Sequence, residues 1–259
     1  MMKKNQWASK LGFIMATAGA AVGLGNLWKF PYLMGRNGGF PFLIAYLFFI
    51  VVLGIPVMMT EMSLGRKTRH DPVLAYGDIH PHARIVGVFG VLAAFIILSY
   101  YSVIGGWIIK YIFSYALTFE APADYVAFIS SNETVLWHFV FMAVTIAVCY
   151  YGVGGIEKVS KLMMPLLFIL MLVIIVRSVT LPGAMEGLSF MFTPDLTNFS
   201  FSSISAALGQ VFYSLSLCMG ITITYGSYLS EKENIPGSCM SVAGLDTAVA
   251  ILAGIAIFP

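Results

Sequence analysis

The chain has 259 residues, of which 59% are hydrophobic and 10% charged, and its mean hydropathy is +0.89. A soluble domain carries about 25% charged residues, so the composition excludes a water-soluble globule and points to an integral membrane protein. The net charge of +2 gives no reason to expect a nucleic-acid partner.

A hydrocarbon core of about 30 Å takes about 20 helical residues, and seven apolar segments meet that length closely enough to predict spans: residues 11–33, 40–64, 86–117, 136–151, 162–179, 203–229 and 237–258. The third is long enough to cross at a tilt. The first contains Gly19-Ala-Ala-Val-Gly-Leu-Gly-Asn26, a poor continuous helix because each glycine costs about 1 kcal/mol relative to alanine. Non-helical backbone at membrane depth is tolerated where it lines a cavity, so the stretch is a candidate binding site. Close helix packing through Gly19 and Gly23 is the alternative. Lys3 and Lys4 before an apolar run with small residues at Ala18-Gly19-Ala20 also imitate a secretory signal, but the run continues to Leu33.

Along the chain, Lys3, Lys4, Lys10, Arg66, Lys67, Arg69, Arg84, Lys158, Lys161 and Lys232 fall on one side of the alternating spans. Lys29, Arg36, Lys110 and Arg177 fall on the other. The positive-inside rule then places the N-terminus in the cytoplasm, for a multi-pass protein of the plasma (inner) membrane with membrane lipid as its neighbour. Residues 119–134 and 181–202 become external loops, and an apolar run that stops at Pro259 looks like a chain cut short. Cys149, Cys218 and Cys239 lack paired spacing and read as reduced, buried hydrophobes.

Three ionisable residues lie in or at the edge of spans: Lys29, Glu61 and Asp246. Such groups usually face a bundle interior or a water-filled path. Lys29 either snorkels to the interface or serves the path. Glu61 either satisfies backbone donors freed by the broken first helix or serves an ion, and Asp246 lies on the seventh span near the candidate site. The sixth segment is interrupted again at Ser214-Leu-Ser-Leu-Cys-Met-Gly220, unless its serines merely bond the preceding turn. Breaks in segments one and six occupy corresponding positions of an inverted repeat. The N–H groups at such a break attract a carboxylate, and its carbonyls ligate a hard cation or accept from an ammonium, so an amino acid zwitterion with Na+ suits both ends. Oxygen donors for the cation are Ala21, Asn26, Ser214 and Asp246. No spacing of a catalytic triad, nucleotide loop or His/Cys cluster points to an enzyme.

Trp7-Ala-Ser-Lys-Leu-Gly12, Ala18-Gly19 through Leu27-Trp-Lys-Phe-Pro31, Asn37-Gly-Gly39, Gly54-Ile-Pro56 with Glu61 and Gly65-Arg66, Tyr100-Tyr101 with Trp107, and Gln210-Val-Phe-Tyr-Ser-Leu-Ser216 together resemble the neurotransmitter:sodium symporter family, especially its bacterial amino acid transporters. The resemblance implies an all-α membrane protein of the leucine-transporter-like inverted-repeat fold, about seven helices being present with the first and sixth broken. It implies one transmembrane domain over 1–259, with a first repeat at about 11–180 and the start of an inverted second repeat at about 203–259. It also implies sodium-coupled import of a neutral, hydrophobic amino acid by alternating access. A non-transporting fragment that associates with other membrane helices is the alternative, and a channel-like pore a more distant one. Oligomeric state is not specified.

By the same resemblance, the substrate carboxylate meets the N–H groups of Leu24 and Gly25 and the Tyr101 hydroxyl. The ammonium meets Ala21, Tyr213 and Ser214 with help from Ser216, and Ile97, Tyr213 and Met219 wall the side-chain pocket. One sodium takes Ala21, Asn26, Ser214 and Asp246. A second takes Gly19 and Val22, its remaining ligands lying on an eighth span that this chain does not include. Lys4, Trp7, Lys29, Tyr101 and Tyr213 occupy gating positions, lysines standing where many members have arginine. Gly23 stands where monoamine carriers have aspartate, which favours a carboxylate-bearing substrate. Tyr46, Gln210 and Ser214 match chloride-site positions, but the nearby charge of Asp246 implies that chloride is not required. Gly155 and Pro165 match a motif tied to unwinding of the fifth span, the alternative being a loop glycine and a helix-start proline. Cys218 replaces a glycine at the sixth-span break.

Overall fold

The computed structural model describes residues 7–120, 125–197 and 199–259, and every regular element among them is a helix. Ser9 caps α1 (Lys10–Ala21), its hydroxyl oxygen accepting from the Gly12 N–H. Val22 and Gly23 leave the helix. A π-helical turn (Gly25–Lys29) and α2 (Phe30–Arg36) then continue at 52° to α1. The interruption is thus shorter than the glycine pattern suggests, because Gly19 stays inside α1. Next, α3 (Phe40–Phe49) passes through a second π-turn (Ile50–Gly54) into α4 (Ile55–Thr68).

The connecting α5 (Pro72–Ile79) is capped by the Asp71 carboxylate, which accepts from the Val73 and Leu74 N–H groups. There follow α6 (Arg84–Thr118), α7 (Tyr125–Ile129), α8 (Glu133–Tyr150), α9 (Gly152–Val179), α10 (Ala184–Phe192), α11 (Phe201–Ser214), α12 (Ile221–Gly226) and α13 (Ile235–Ile257). Both expected external loops contain helix, α7 in one and α10 in the other.

Phe40–Thr68, Pro81–Thr118, Glu133–Tyr150, Gly152–Val179 and Ile235–Ile257 are each long and apolar enough to cross a membrane, and the bent pair α1/α2 makes a sixth such unit. The segment expected at 203–229 is divided more deeply. Residues 215–220 separate α11 from the six-residue α12, so neither piece is a full-length crossing helix.

Two further expectations are corrected. Helix α9 begins at Gly152 rather than near 162, and it contains both Gly155 and Pro165. Those residues mark neither an unwound stretch nor a loop followed by a helix start. Of the three cysteines only Cys239 is buried, while Cys149 and Cys218 are exposed.

The core lies where the two broken segments meet α3, α4 and α13. Phe13, Phe30, Phe42, Tyr46, Met58 and Met62 are buried there, with the Phe30 ring 4.9 Å from Tyr46 and 6.0 Å from Phe42. Helices α4 and α12 approach backbone to backbone. A β-carbon on Gly226 would sit 2.6 Å from the Met62 carbonyl oxygen, so a larger residue would force the pair apart. By contrast α6, α8 and α9 turn side chains such as Phe95, Phe139 and Val173 outward. An apolar outer face of this kind belongs against hydrocarbon or other membrane helices.

At the end of the bundle where α1 begins, several remote segments are tied. The Trp7 indole donates to the Tyr225 carbonyl at 3.2 Å. Arg66 donates to the Glu233 carbonyl at 2.7 Å, and Arg69 to the carbonyls of Ser227 and Leu229. Lys10 lies 3.9 Å from the Glu233 carboxylate. At the other end Lys110 and Glu133 form a 2.6 Å ion pair between α6 and α8.

Candidate functional site

Asp246, in the middle of α13, is fully buried. Its Oδ2 accepts from the Ser214 hydroxyl at 2.7 Å and the Tyr46 hydroxyl at 3.3 Å, and its Oδ1 accepts from the Asn26 amide at 2.8 Å. The same amide donates to the Ser214 hydroxyl oxygen at 3.0 Å and to the Asp246 carbonyl at 3.1 Å. All four side chains are buried, and all the donors are neutral. Among the described residues no ion pair reaches Asp246. A buried carboxylate with neutral donors retains a net charge that a cation can balance.

The first break folds onto this cluster. The Gly23 N–H donates to Asn26 Oδ1 at 3.1 Å, and the Asn26 N–H returns to the Gly23 carbonyl at 3.1 Å. The Val22 N–H makes the last bond of the α1 ladder, to the Ala18 carbonyl, and the carbonyls that follow need other partners. Ala20 accepts from the Ser216 hydroxyl at 3.1 Å. Gln210 reaches across with its amide to the Gly25 carbonyl at 2.8 Å, while its buried Oε1 has no protein partner among the described residues.

A cavity of about 280 Å³ opens beside the break, with Ala21, Gly25, Ile97, Tyr101, Ser216 and Met219 in its wall. Tyr213 completes that wall, and no charged side chain contributes to it. Leu24 and Ser214 stand outside it. Ser214 belongs to the Asp246 cluster behind the wall, whereas Leu24 lines a further cavity of about 290 Å³ with Trp28, Lys29, Tyr100, Tyr101 and Tyr213. Tyr101 and Tyr213 are therefore the partition between the two cavities.

The Tyr101 hydroxyl oxygen accepts from the Leu24 N–H at 3.1 Å. The Tyr213 hydroxyl is 3.3 Å from that of Tyr100, and the Lys29 ammonium rests 3.8 Å above the Tyr213 ring, a cation–π contact. Glycine at position 23 has a steric reason, since a β-carbon there would run into the Tyr101 hydroxyl.

A third cavity, of about 350 Å³, lies between α1 and α9. Gly19, Val22 and Gly23 line it together with Ser160, Met163 and Met164. Gly19, Val22 and Gly23 at the break thus line both this cavity and the one beside Tyr101. Of the expected gating residues, Trp7 joins the start of α1 to α12, and Lys4 lies outside the described residues.

Glu61 corrects a sequence expectation. Its carboxylate serves the sixth-segment break rather than the first, accepting from the Cys218 N–H at 3.0 Å and from the Thr222 hydroxyl. Sequence reasoning also missed Glu157. That buried carboxylate accepts from the Ala8 N–H, the Ser9 hydroxyl and the Lys161 ammonium. The i,i+4 spacing to Lys161 is the one local signal for it.

The sodium:neurotransmitter symporter family model matches residues 4–133 and 124–259. The chain is 44% identical to an uncharacterized sodium-dependent transporter, YhdH, of Bacillus subtilis, over 99% of its own length and 59% of that protein's. It is 37% identical to an uncharacterized sodium-dependent transporter of Haemophilus influenzae, again over 99% of its own length and 61% of the relative's. The crystal structure of MhsT in complex with L-phenylalanine superposes with a TM-score of 0.91 at 45% identity, covering 99% of this chain and 61% of MhsT. The chain therefore spans about three fifths of the length of these relatives.

Proposed function

The chain belongs to the sodium:neurotransmitter symporter family, and on that footing we propose that it forms the substrate-bearing part of a sodium-coupled importer of neutral, hydrophobic amino acids. The observation that carries this reading is the buried Asp246 carboxylate, bonded to neutral Asn26, Ser214 and Tyr46 beside the first break. A sodium ion supplies the missing positive charge, with Asp246, Ser214, Asn26 and the Ala21 carbonyl as its oxygen donors. Asn26 now presents its NH2 group to Asp246 and its Oδ1 to the Gly23 N–H, and turning the amide over would present the oxygen to the ion at the expense of the Gly23 bond. The second sodium is assigned to the cavity flanked by Gly19 and Val22.

The cavity beside the break suits the organic substrate. Its wall of Ile97, Met219 and neighbouring apolar residues favours an uncharged side chain, and Tyr101 and Gly25 in that wall support a carboxylate end, to which the Leu24 N–H, now donated to the Tyr101 hydroxyl, is released on binding. MhsT's complex with L-phenylalanine supports a hydrophobic amino acid, including one of aromatic size. Alternating access tilts the broken segments about this site. Lys10, Arg66 and Arg69, at the end of the bundle where α1 begins, support a cytoplasmic N-terminus in the plasma membrane.

Uptake of labelled neutral amino acids into proteoliposomes tests the proposal: sodium-dependent accumulation of leucine or phenylalanine is expected, and sodium-independent or absent uptake by the complete gene product overturns it. Asp246 also stands in for an anion in this reading. Asp246→Asn is expected to introduce a chloride requirement, and chloride-independent uptake by that variant refutes the substitution of carboxylate for chloride.

A further inference from the structure

Glu157 lies near the start of α9, 4% exposed, and takes no part in the sites assigned above. It accepts from the Ala8 N–H at 2.9 Å, the Ser9 hydroxyl at 3.1 Å and the Lys161 ammonium at 2.6 Å. Ser9 also caps α1 by accepting from the Gly12 N–H at 3.0 Å, so one hydroxyl links the α1 backbone to Glu157. The approach is tight. A β-carbon on Gly12 would overlap the Glu157 carboxylate. A negative charge at the N-terminus of α1 also complements the helix dipole.

The two helices joined here are the two that enclose the cavity of about 350 Å³ containing Gly19, Val22 and Ser160. Ser160 follows Glu157 by one helical turn. Separation of α1 from α9 would open this cavity toward the end of the bundle where α1 begins.

We propose that Glu157 is a positioning residue that latches the start of α1 to α9 and thereby controls access to the second-sodium cavity. Its role for sodium rests on the transport reading above, whereas the latch itself rests on protein contacts alone. Lys161 gives the latch a reversible form. Because it is on the same helix as Glu157 it stays with the carboxylate when α1 departs, so opening does not strand a bare charge in an apolar setting.

Hydrogen–deuterium exchange on the complete gene product in lipid nanodiscs tests the latch. Glu157→Ala is expected to speed exchange of amides 8–13 about tenfold while leaving α2 and α6 unchanged. Glu157→Gln, which keeps the shape but removes the charge that strengthens the bonds from Ala8 and Ser9, should give a smaller local rise. Lys161→Met preserves the contacts to α1, so its amides 8–13 should exchange no faster than those of the unaltered protein. No acceleration at 8–13 in Glu157→Ala, or a uniform rise in every helix in both Glu157 variants, overturns the latch.

For its role in sodium access, Glu157→Gln should raise the sodium concentration for half-maximal uptake about fivefold, with less than about a twofold change in amino acid half-saturation. Equal movement of both constants indicates a merely structural effect and overturns the access role. If the unaltered protein shows no sodium-dependent uptake, the symporter reading falls while the exchange experiment still decides the latch.

Discussion

The two broken segments are held open by different means. The first break spans two residues and closes largely on itself: Asn26 binds both the N–H and the carbonyl of Gly23. The sixth runs through residues 215–220 and contains three left-handed residues, Ser216 at φ 52°, Cys218 at φ 61° and Gly220 at φ 75°. It depends on support from elsewhere. Glu61 on α4 takes the Cys218 N–H and Thr222 hydroxyl, and Ser216 reaches back to Ala20. A short break rich in glycine can thus be stabilised by a nearby asparagine, whereas a longer one with left-handed non-glycine residues needs a remote clamp.

Removing that clamp should have the largest effect. Glu61→Ala leaves the buried Thr222 hydroxyl and the partly buried Cys218 N–H without their acceptor, with an expected loss of about 3 kcal/mol. A lowered thermal midpoint and faster amide exchange at 215–222 would report it; unchanged exchange there would mean that the sixth break supports itself.

Asn26→Ala should cost less, about 2 kcal/mol, because Asp246 keeps its bonds from Ser214 and Tyr46. Its exchange signature should centre on residues 22–26 and be accompanied by weaker sodium dependence of uptake. Exchange spreading equally through 215–220 would erase the distinction between the two breaks.

The smallest effect should be favourable. Cys218→Gly removes the cost of a left-handed β-carbon and should stabilise the protein by about 1 kcal/mol. Cys218→Ala retains that cost and separates backbone strain from the thiol. A higher thermal midpoint for the glycine variant alone is the expected result, and equal midpoints for both would remove strain from the description of the sixth break.

Much of the site was legible because its signals are local. Glycines in an apolar run and Ser214 followed by Gly220 identify the two interruptions, while Asp246 in an apolar span requires a reason to be there. What each group faces was less accessible. Glu61 could be assigned to the wrong break because hydropathy gives no information about which neighbouring segment receives a buried carboxylate. Glu157 carries no local sign of its burial because its decisive partner, the Ala8 N–H, is 149 residues away. The start of α9 was missed because Glu157, Lys158 and Lys161 interrupt the apolar run on which the span was drawn, although the helix continues through them.

The sequence alone determined a polytopic helical membrane protein, its two interruptions and the donor chemistry available at them, since hydrophobic length and residue type act through the solvent and the local backbone. Tertiary structure decided the assembly of Asn26, Tyr46, Ser214 and Asp246, the partition made by Tyr101 and Tyr213, and the Glu61 and Glu157 clamps. These depend on contacts between segments as many as 220 residues apart. Helical periodicity can place a side chain on a face, but only the packing of the helices determines what meets it.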